Sequence, residues 1–235
     1  YLAEVNKILT QVDMSSRYIL SYGQQTEVLK VATQPSFGVR WLIPHLKGFG
    51  KRHPNIHLDI RNEMEPFALL QGKADVVFFF GQGTWPGATC VELFGEEVVP
   101  VCAPELVQGR TLKDASELSE LVLLQSTSRP EAWHEWFLEQ GLHSAHSYHG
   151  PRFDTFYMSL SAAQSGCGVA LVPRYLVEQE LAEGSLIQLD LESGNERHLY
   201  TYLLTLSPEA LGPATELLLR CLRNEYQGES SPLSH

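Results

Sequence analysis

The hydrophobic pattern near the start of the chain predicts a strand, a helix and a second strand. The runs at 28–33 and 56–61 are short and apolar, whereas apolar residues between them recur at helical spacing over 36–51. Pro35-Ser36 supplies the turn before the helix, and His53-Pro54 ends it. Such a βαβ unit places the free N–H groups of a helix N-terminus at the carboxyl edge of a sheet, where small anions bind.

The same alternation continues and predicts an α/β protein with two lobes. After position 61 the predicted elements are a helix at 66–71, a strand at 75–79, a loop at 81–91, a strand at 92–101, a helix at 111–118, a strand at 121–124, a helix at 130–140, a strand at 147–150, a helix at 155–165, a strand at 168–172, a helix at 173–183, a strand at 185–189, a turn at 193–195, a strand at 198–206 and a helix at 208–226.

The final strand and helix have no place to pack unless the chain returns to the first lobe. We therefore expect two crossings, near 99–103 and near 203–207, and a hinged cleft like that of periplasmic solute-binding proteins. The expected fold is two Rossmann-like lobes joined by two crossover strands. The expected segments are lobe I (28–101 and 198–226), lobe II (104–190) and a disordered tail (227–235).

Positions 1–22 form a helical pattern that Gly23 ends, with apolar residues at alternating steps of three and four. This spacing is typical of a coiled coil, and it also fits an amphipathic helix packed on its own domain. Because the chain starts at Tyr1 within the pattern, we expect it to be a piece of a longer protein. The apolar seam consists of Leu2, Val5, Leu9, Val12 and Ile19, with Ser16 at one seam position.

Composition narrows the possible partners. The 235 residues are 43% hydrophobic, enough to bury one large core or two moderate ones. With 17 basic and 28 acidic residues the net charge is −11, so we expect this chain alone to bind duplex DNA poorly. The sequence has no apolar run of about 18 residues and no secretory pattern, so the cytoplasm is the expected compartment.

Catalytic signatures are absent from the sequence, and we expect neither an enzyme nor a cofactor. Gly81-Gln82-Gly83 lacks the third glycine of a dinucleotide loop, and no nucleophile-elbow, zincin or Walker pattern occurs. Cys167 could be a nucleophile, but its neighbours supply no histidine or basic group, which favours a buried structural thiol. The wide spacing of the cysteines indicates reduced thiols. They are Cys90, Cys102, Cys167 and Cys221.

Histidines recur at every third position in His143, His146 and His149, with His134 upstream. Imidazoles suit zinc, copper or nickel, so a metal site is one interpretation. In the predicted loop and strand, however, a spacing of three places side chains on alternating faces. This favours surface histidines, and no metal is expected.

Two polar segments follow predicted strands and open predicted helices. Gln34-Pro35-Ser36 does so in lobe I, and Ser126-Thr127-Ser128-Arg129 does so in lobe II, with Pro130 at a plausible first helical position. Because strand ends line the crevice of an α/β sheet, the two segments should face each other across the cleft. Each hydroxyl could serve only as a helix cap. Arg129 could hold a ligand carboxylate or remain a solvated side chain.

A series of segments carries a family pattern in the same order along the chain. These are Pro35-Ser36-Phe37, Arg40–Pro44 with Phe49, His53-Pro54, Gly72–Val77, Trp85-Pro86-Gly87, Val98–Pro104, Phe153-Asp154-Thr155 and Gly166–Pro173. Together they resemble the effector-binding domain of LysR-type transcriptional regulators, in the subgroup of the glycine-cleavage activator and the β-lactamase regulator. Each motif is weak alone, but the resemblance covers nearly the whole chain in order.

The resemblance implies a periplasmic-binding-protein-like fold of type 2, preceded by the last part of a linker helix at 1–22 that pairs with its twin. It implies a homodimer or homotetramer in which a lobe-I helix meets a lobe-II strand. A small anionic or zwitterionic effector is expected between the lobes. DNA contact is expected only through an N-terminal winged helix-turn-helix that this chain lacks, and no membrane partner is expected.

The resemblance also places the side walls of the effector pocket at Glu65-Pro66 and at Phe153-Asp154. Asp154 could be a helix cap or, beside Arg129, a partner for the amino group of a zwitterion. Phe79 stands where this subgroup commonly carries an arginine, so the pocket is expected to be less cationic, with Phe79 or Phe153 over the ligand's apolar part. The expected ligand contacts are Gln34, Pro35, Ser36, Glu65, Pro66, Phe79, Ser126, Thr127, Arg129, Phe153, Asp154 and Val169.

Two other protein classes share a two-lobed α/β fold. A periplasmic-type solute-binding protein is disfavoured by the missing signal, the unpatterned cysteines and the N-terminal helix. An enzyme related to porphobilinogen deaminase or prephenate dehydratase is disfavoured by the lack of a catalytic constellation.

Overall fold

The computed structural model shows the chain as two five-stranded sheets flanked by helices. Most of the predicted helix at 1–22, the helix at 66–71 and the turn at 193–195 lie outside the residues that it describes. The described residues are 5, 9, 26–63, 73–81, 85–110, 112, 114–189, 191, 199–205 and 212–229, with the backbone alone described at 199–205 and 225–229.

The first sheet has the strand order β2-β1-β3-β10-β4. β1 (Glu27–Thr33) lies parallel to β2 (Ile56–Asn62) and to β3 (Val76–Gly81). β10 (Leu199–Thr205) runs antiparallel to β3 and to β4 (Thr89–Glu96). The chain therefore returns to the first sheet near its end, as predicted from the need of this strand for packing partners.

The second sheet has the order β7-β6-β8-β5-β9. β6 (Leu123–Ser126) lies parallel to β7 (Arg152–Phe153) and to β8 (Val169–Pro173). β5 (Val98–Cys102) runs antiparallel to β8 and to β9 (Ile187–Gln188). We call the first sheet with its helices lobe I and the second sheet with its helices lobe II.

The crossings between the lobes lie at different positions from those predicted. β4 belongs to the first sheet and β5 to the second, so the chain leaves lobe I at Glu97 rather than within 99–103. It returns after β9 and before β10, because 203–205 already belong to β10. The predicted first crossing was wrong because the sequence was interpreted as one strand over 92–101, whereas Glu97 divides this stretch into β4 and β5.

The first helical segment, α1, is made of three successive pieces: α-helical Pro35–Phe37, π-helical Gly38–Leu42 and α-helical Ile43–His45. The wider turn comes just before Pro44, which has no N–H to donate to the preceding turn. α2 (Phe49–Arg52) is a separate helix, because Gly48 adopts a left-handed φ of 83°. The single helix predicted over 36–51 is therefore interrupted.

Other predictions of secondary structure also change at the ends of elements. The strand predicted at 147–150 is a turn, and the helix predicted at 173–183 divides into a 3-10 turn and an α-helix. The last helix reaches Glu229, so the predicted disorder was wrong at 227–229.

Among the described helices, none is long and apolar enough to cross a membrane. The remaining helices are α3 (Pro104–Val107), α4 (Ala132–Glu139), α5 (Phe156–Gln164), α6 (Glu178–Glu183) and α7 (Pro213–Glu229), with 3-10 turns at Ala115–Glu120 and Arg174–Leu176.

Each lobe has its own apolar core. In lobe I the rings of Phe37 and Trp41 from α1 stack with centroids 5.1 Å apart, and Phe78 from β3 packs beside them. In lobe II, alternate residues of β8 contact Trp133 of α4 on one face and Leu160 of α5 on the other. The second sheet, in which two strand pairs are parallel and two antiparallel, is therefore covered by helices on both faces.

Gly150 allows the edge strand β7 to reach β6. Its φ is 132°, and a Cβ atom at this position would lie 2.0 Å from the carbonyl oxygen of Leu123. The next residue, Pro151, accepts a hydrogen bond of 2.8 Å from the backbone N–H of Gln125. This close approach fixes the register of β7 and thus the position of Asp154, which follows it.

Gly150→Ala should lower the free energy of unfolding by about 2–3 kcal/mol, because it combines a disfavoured φ with a clash against backbone. Gly184→Ala is the matched control, since Gly184 has a φ of 73° but nothing within 4 Å of the added Cβ. The control should cost about 1 kcal/mol. Urea denaturation measures both changes, and equal losses in the two variants would contradict this role of Gly150.

Candidate functional site

A cavity lies between the two lobes, where the carboxyl end of β1 faces the carboxyl ends of β6 and β7. It holds about 320 Å³ of empty space, part of it open to solvent. Apolar and aromatic side chains supply much of its wall, with a few polar groups among them, which is the usual composition of a small-molecule site. The lining residues are Gln34, Pro35, Ser36, Phe37, Ser128, Arg129, Asp154, Thr155, Phe156, Tyr175 and Leu176.

The lobe-I wall is the start of α1. Gln34 has an extended backbone at the N-cap position and makes no side-chain cap, and Pro35 occupies the first turn. Ser36 is buried, and its Oγ accepts a hydrogen bond of 3.0 Å from the backbone N–H of Tyr157 in α5. The Ser36 hydroxyl is therefore not a cap of its own helix but a contact between the lobes.

The lobe-II wall follows β6, but not as the predicted helix start. α4 begins at Ala132 after a turn in which the Arg129 N–H donates to the Ser126 carbonyl, so Pro130 is not the first helical residue. Ser126 and Ser128 pair through their Oγ atoms at 3.0 Å. Among these residues, Ser128 and Arg129 line the cavity.

Arg129 is nine-tenths buried, and its guanidinium meets a carboxylate of the same chain. Its Nη2 lies 2.6 Å from Oε2 of Glu96, whose side chain is only 1% exposed. The guanidinium carbon also lies 3.8 Å from the centroid of the Phe80 ring and 5.1 Å from that of Phe156. The charge is thus neutralised by the last residue of β4 and held between aromatic rings from both lobes.

Two donors of Arg129 remain available. Nε and Nη1 are buried and have no hydrogen-bond partner among the described residues. A buried, unsatisfied donor is costly, so these atoms are the strongest indication of a missing acceptor at the cavity wall. A carboxylate is the acceptor that best matches the planar guanidinium.

Glu96 is held in turn by Tyr175, whose hydroxyl donates to its Oε1 at 3.3 Å. The Tyr175 ring meets Phe37 and Phe94 edge-on, at centroid distances of 6.1 and 5.4 Å. Tyr175 belongs to lobe II and both phenylalanines belong to lobe I. The same side chain therefore orients the carboxylate and seals the base of the cavity.

A second ion pair joins the lobes away from the cavity. Arg40 of α1 pairs with the buried carboxylate of Glu180 in α6 and lies within 3.5 Å of the Gln179 side-chain oxygen. Ser36 and Arg40 are four residues apart in α1, so this helical segment contacts lobe II through two polar side chains.

The structure brings together five of the residues expected to contact a ligand: Gln34, Pro35, Ser36, Arg129 and Asp154 all line the cavity. Asp154 is exposed and is not a cap, because the hydroxyl of Thr155 caps α5 by accepting from the Met158 N–H at 3.3 Å. The Asp154 carboxylate thus has no capping role and lies at the cavity wall.

The remaining expected contacts lie elsewhere. Thr127 is exposed, and its N–H donates to the Phe153 carbonyl at 2.9 Å, while Phe153 packs on the lobe-II core. Val169 is fully buried in that core, because its place in β8 faces α4. Ser126 lies behind Ser128. Glu65 and Pro66 lie outside the described residues.

The expected aromatic contact shifts by one residue, from Phe79 to Phe80. Phe79 packs near Trp85, with ring centroids 6.2 Å apart, and stacks on Phe80 at 5.0 Å. Both rings line a smaller neighbouring pocket together with Glu96, but Phe80 is the ring that covers Arg129. Tyr175 and Glu96 were also missed. An acid that interrupts the apolar run Leu93–Val99 was the signal for Glu96.

The histidine-rich stretch lies on the surface of lobe II. His143, His146 and His149 are exposed in turns rather than in a strand, and the rings of His146 and His149 have centroids 5.8 Å apart. In the described part of the chain, no three His, Cys, Asp or Glu side chains are placed to hold a metal ion. The adjacent Tyr148 donates to Glu131, and this hydrogen bond to a carboxylate raises the pKa of Tyr148.

The four cysteines are free thiols. Cys102 is buried in lobe II, and loss of solvation raises its pKa to about 11, which keeps the thiol protonated. Cys167 is exposed, so the expectation that it is a buried structural thiol was wrong. It lies in the turn between α5 and β8 and does not line the cavity.

Comparison with known sequences identifies the family of this chain. The chain matches the family model described as LysR substrate binding domain over residues 23–227. It is 31% identical over 188 residues to the glycine cleavage system transcriptional activator of Escherichia coli K12, which covers 80% of this chain and 61% of that protein. It is 34% identical over 178 residues to the transcriptional activator AmpR of Rhodobacter capsulatus, covering 75% and 60% respectively. The chain thus spans about three fifths of the length of these relatives.

Solved structures show the same fold. The effector domain of the transcriptional regulator AmpR of Pseudomonas aeruginosa superposes with a TM-score of 0.75 at 28% identity, over 87% of this chain and all of that one. The regulatory domain of CrgA from Neisseria meningitidis superposes with a TM-score of 0.73 at 22% identity, over 85% of this chain and 98% of that one. The predicted fold is confirmed. These relatives are transcriptional regulators and not enzymes, which also confirms that prediction and disfavours both other classes.

Arg129→Ala should lower the free energy of unfolding by about 3–5 kcal/mol, because it leaves the buried carboxylate of Glu96 without its partner. The control is Arg174→Ala, since the Arg174 side chain is exposed and donates to the side-chain oxygen of Gln188 at 2.6 Å. That change should cost under about 1 kcal/mol. Chemical denaturation of both variants measures the difference, and an Arg129→Ala protein as stable as the control would disprove the buried pair.

Proposed function

Since the chain belongs to the LysR substrate-binding domain family, we propose that it is the ligand-sensing and oligomerisation domain of a bacterial, cytoplasmic LysR-type transcriptional regulator. The observation that supports this most directly is the cavity between the lobes, with a buried arginine that has unused donors at its wall. A sensor needs a cavity whose occupation changes the arrangement of two bodies, and a cavity with walls from both lobes meets that need.

The proposed effector is a small anionic or zwitterionic metabolite. Its carboxylate would accept from one of the two unpartnered nitrogens of Arg129, Nε or Nη1, and its apolar part would lie against Phe37, Phe156 and Leu176. Binding would alter how closely α1 approaches lobe II, because the contacts of Ser36 and Arg40 with that lobe flank the cavity. Such a change can be transmitted to an attached domain only if the two arrangements differ in affinity for the effector.

DNA binding is proposed to belong to a winged helix-turn-helix preceding this segment in the full regulator. The net charge of −11 disfavours phosphate contacts by this chain. Ligand binding here would then change the relative arrangement of the DNA-binding domains and the bending of DNA.

Self-association is proposed through α1, in addition to the coiled coil expected over 1–22. Val39 and Ile43 are 58% and 53% exposed and lie one turn apart on the same face of α1. Large exposed apolar side chains at this spacing are typical of a helix that packs against another surface. A homodimer that buries them, or a tetramer built from such dimers, suits a regulator whose lobes must move together.

Arg129→Lys should weaken binding of the effector about tenfold or more, because lysine keeps the charge beside Glu96 but loses the planar pair of donors. A screen of carboxylate and amino-acid metabolites by melting temperature identifies the ligand, and calorimetric titration then gives the affinity. Ser36→Ala should cost about tenfold or less. Arg174→Lys, on the exposed surface, is the control. A ligand that binds elsewhere, or unchanged affinity in Arg129→Lys, would rule out this site.

Val39→Asp/Ile43→Asp should raise the dissociation constant of the dimer at least about tenfold, because two carboxylates would enter an apolar contact. Sedimentation velocity at micromolar protein concentrations measures the change. Lys51→Asp alters the net charge by the same two units on exposed α2 and should leave the dimer intact. A wild-type chain that sediments only as a monomer would contradict the proposal.

A further inference from the structure

A balanced pair of buried charges lies at the wall of the cavity, where Arg129 lines the space and Glu96 lies behind it. Arg129 is cationic, Glu96 is anionic, and their N–O distance is 2.6 Å, with side-chain exposures of 7% and 1%. A charge in a weakly polar environment requires an opposite charge nearby, and here Arg129 and Glu96 neutralise each other. The cavity is therefore neutral at this point before any ligand enters.

This balance decides which acids can bind. A ligand with one carboxylate and no cationic group would bring a second negative charge near Glu96. The two carboxylates would then share a single guanidinium. Like charges in such a site repel, and the repulsion is stronger where water is excluded. A zwitterion adds no net charge, and its cationic group can face Asp154 at the cavity wall while its carboxylate meets Arg129.

The arrangement of the side chains supports the same conclusion. Of the Arg129 nitrogens, Nη2 meets Glu96, whereas Nε and Nη1 have no hydrogen-bond partner among the described residues. The guanidinium can thus accept a second carboxylate without releasing the first. Asp154 lines the same cavity and adds another acidic group near the place where a cationic group would lie.

We propose that Glu96 is a specificity residue, which makes the cavity select ligands carrying a cationic group beside their carboxylate over the corresponding simple acids. The proposal rests on the proposed function and deepens it, since it concerns the same cavity. Glu96 itself need not contact the cationic group of the ligand. It acts by keeping Arg129 compensated, so that only a ligand without net charge preserves the balance.

The test uses two pairs of probes that differ only in an amino group: L-alanine with propanoate, and L-phenylalanine with 3-phenylpropanoate. The small pair and the ring-bearing pair together cover the size range of the cavity. Calorimetric titration of each probe into wild type, Glu96→Gln and Glu180→Gln gives the affinities. Glu180→Gln is the matched control, because it also removes a buried carboxylate paired with an arginine between the lobes, but away from the cavity.

In wild type, the amino acid of at least one pair should bind about tenfold more tightly than its deaminated partner, the effect of one charge-assisted contact. In Glu96→Gln the order should reverse, because the uncompensated guanidinium gains most from a simple acid. Glu180→Gln should keep the wild-type ratio. A ratio that is the same in Glu96→Gln and wild type overturns the proposal, and so does a Glu96→Gln protein that binds neither propanoate nor 3-phenylpropanoate.

Loss of the buried pair could prevent Glu96→Gln from folding. The double variant Glu96→Gln/Arg129→Gln carries neither charge, and it should bind both members of each pair equally and weakly. A preference for the amino acid that survives in the double variant overturns the proposal. If the metabolite of the regulator binds outside the cavity while Glu96→Gln still reverses the ratio of the probes, the proposed function fails and the role of Glu96 in charge selection stands.

Discussion

A buried arginine requires an anion close by, and at Arg129 elements of both lobes together meet this requirement. The carboxylate comes from the end of β4, one aromatic ring from the end of β3 and another from the start of α5. β3 and β4 belong to lobe I, whereas α5 and Arg129 belong to lobe II. The guanidinium is therefore neutralised and covered only when the lobes meet in one arrangement, which makes their alignment a condition for burying the charge.

The strand and helix rhythm of the two sheets could be predicted from the sequence, because apolar spacing reports directly on secondary structure. The site could be predicted only to within a residue. Phe79 and Phe80 are neighbours in one strand with rings stacked 5.0 Å apart, and it is Phe80 that lies over Arg129, so a one-position error selects the wrong ring. Glu96 was missed because an acid in an apolar run reveals burial but not the arginine that compensates it.

Local sequence also does not reveal which lobe will use a polar group. The Ser36 hydroxyl could cap its own helix, yet its partner is a backbone N–H that lies 121 positions later in the chain. Thr155, next to the expected Asp154, forms the cap instead and leaves the carboxylate at the cavity wall. Both outcomes depend on how the lobes pack, and spacing within one segment contains no information about that packing.

The chain passes from lobe I to lobe II through a single residue, Glu97, between the end of β4 and the start of β5. Any rotation of one lobe against the other must therefore turn the backbone immediately beside Glu96. That rotation moves the carboxylate relative to a guanidinium anchored in the opposite lobe. The distance between the Glu96 carboxylate and the Arg129 guanidinium therefore depends on the angle between the lobes. A ligand charge that shifts one of these quantities would also shift the other.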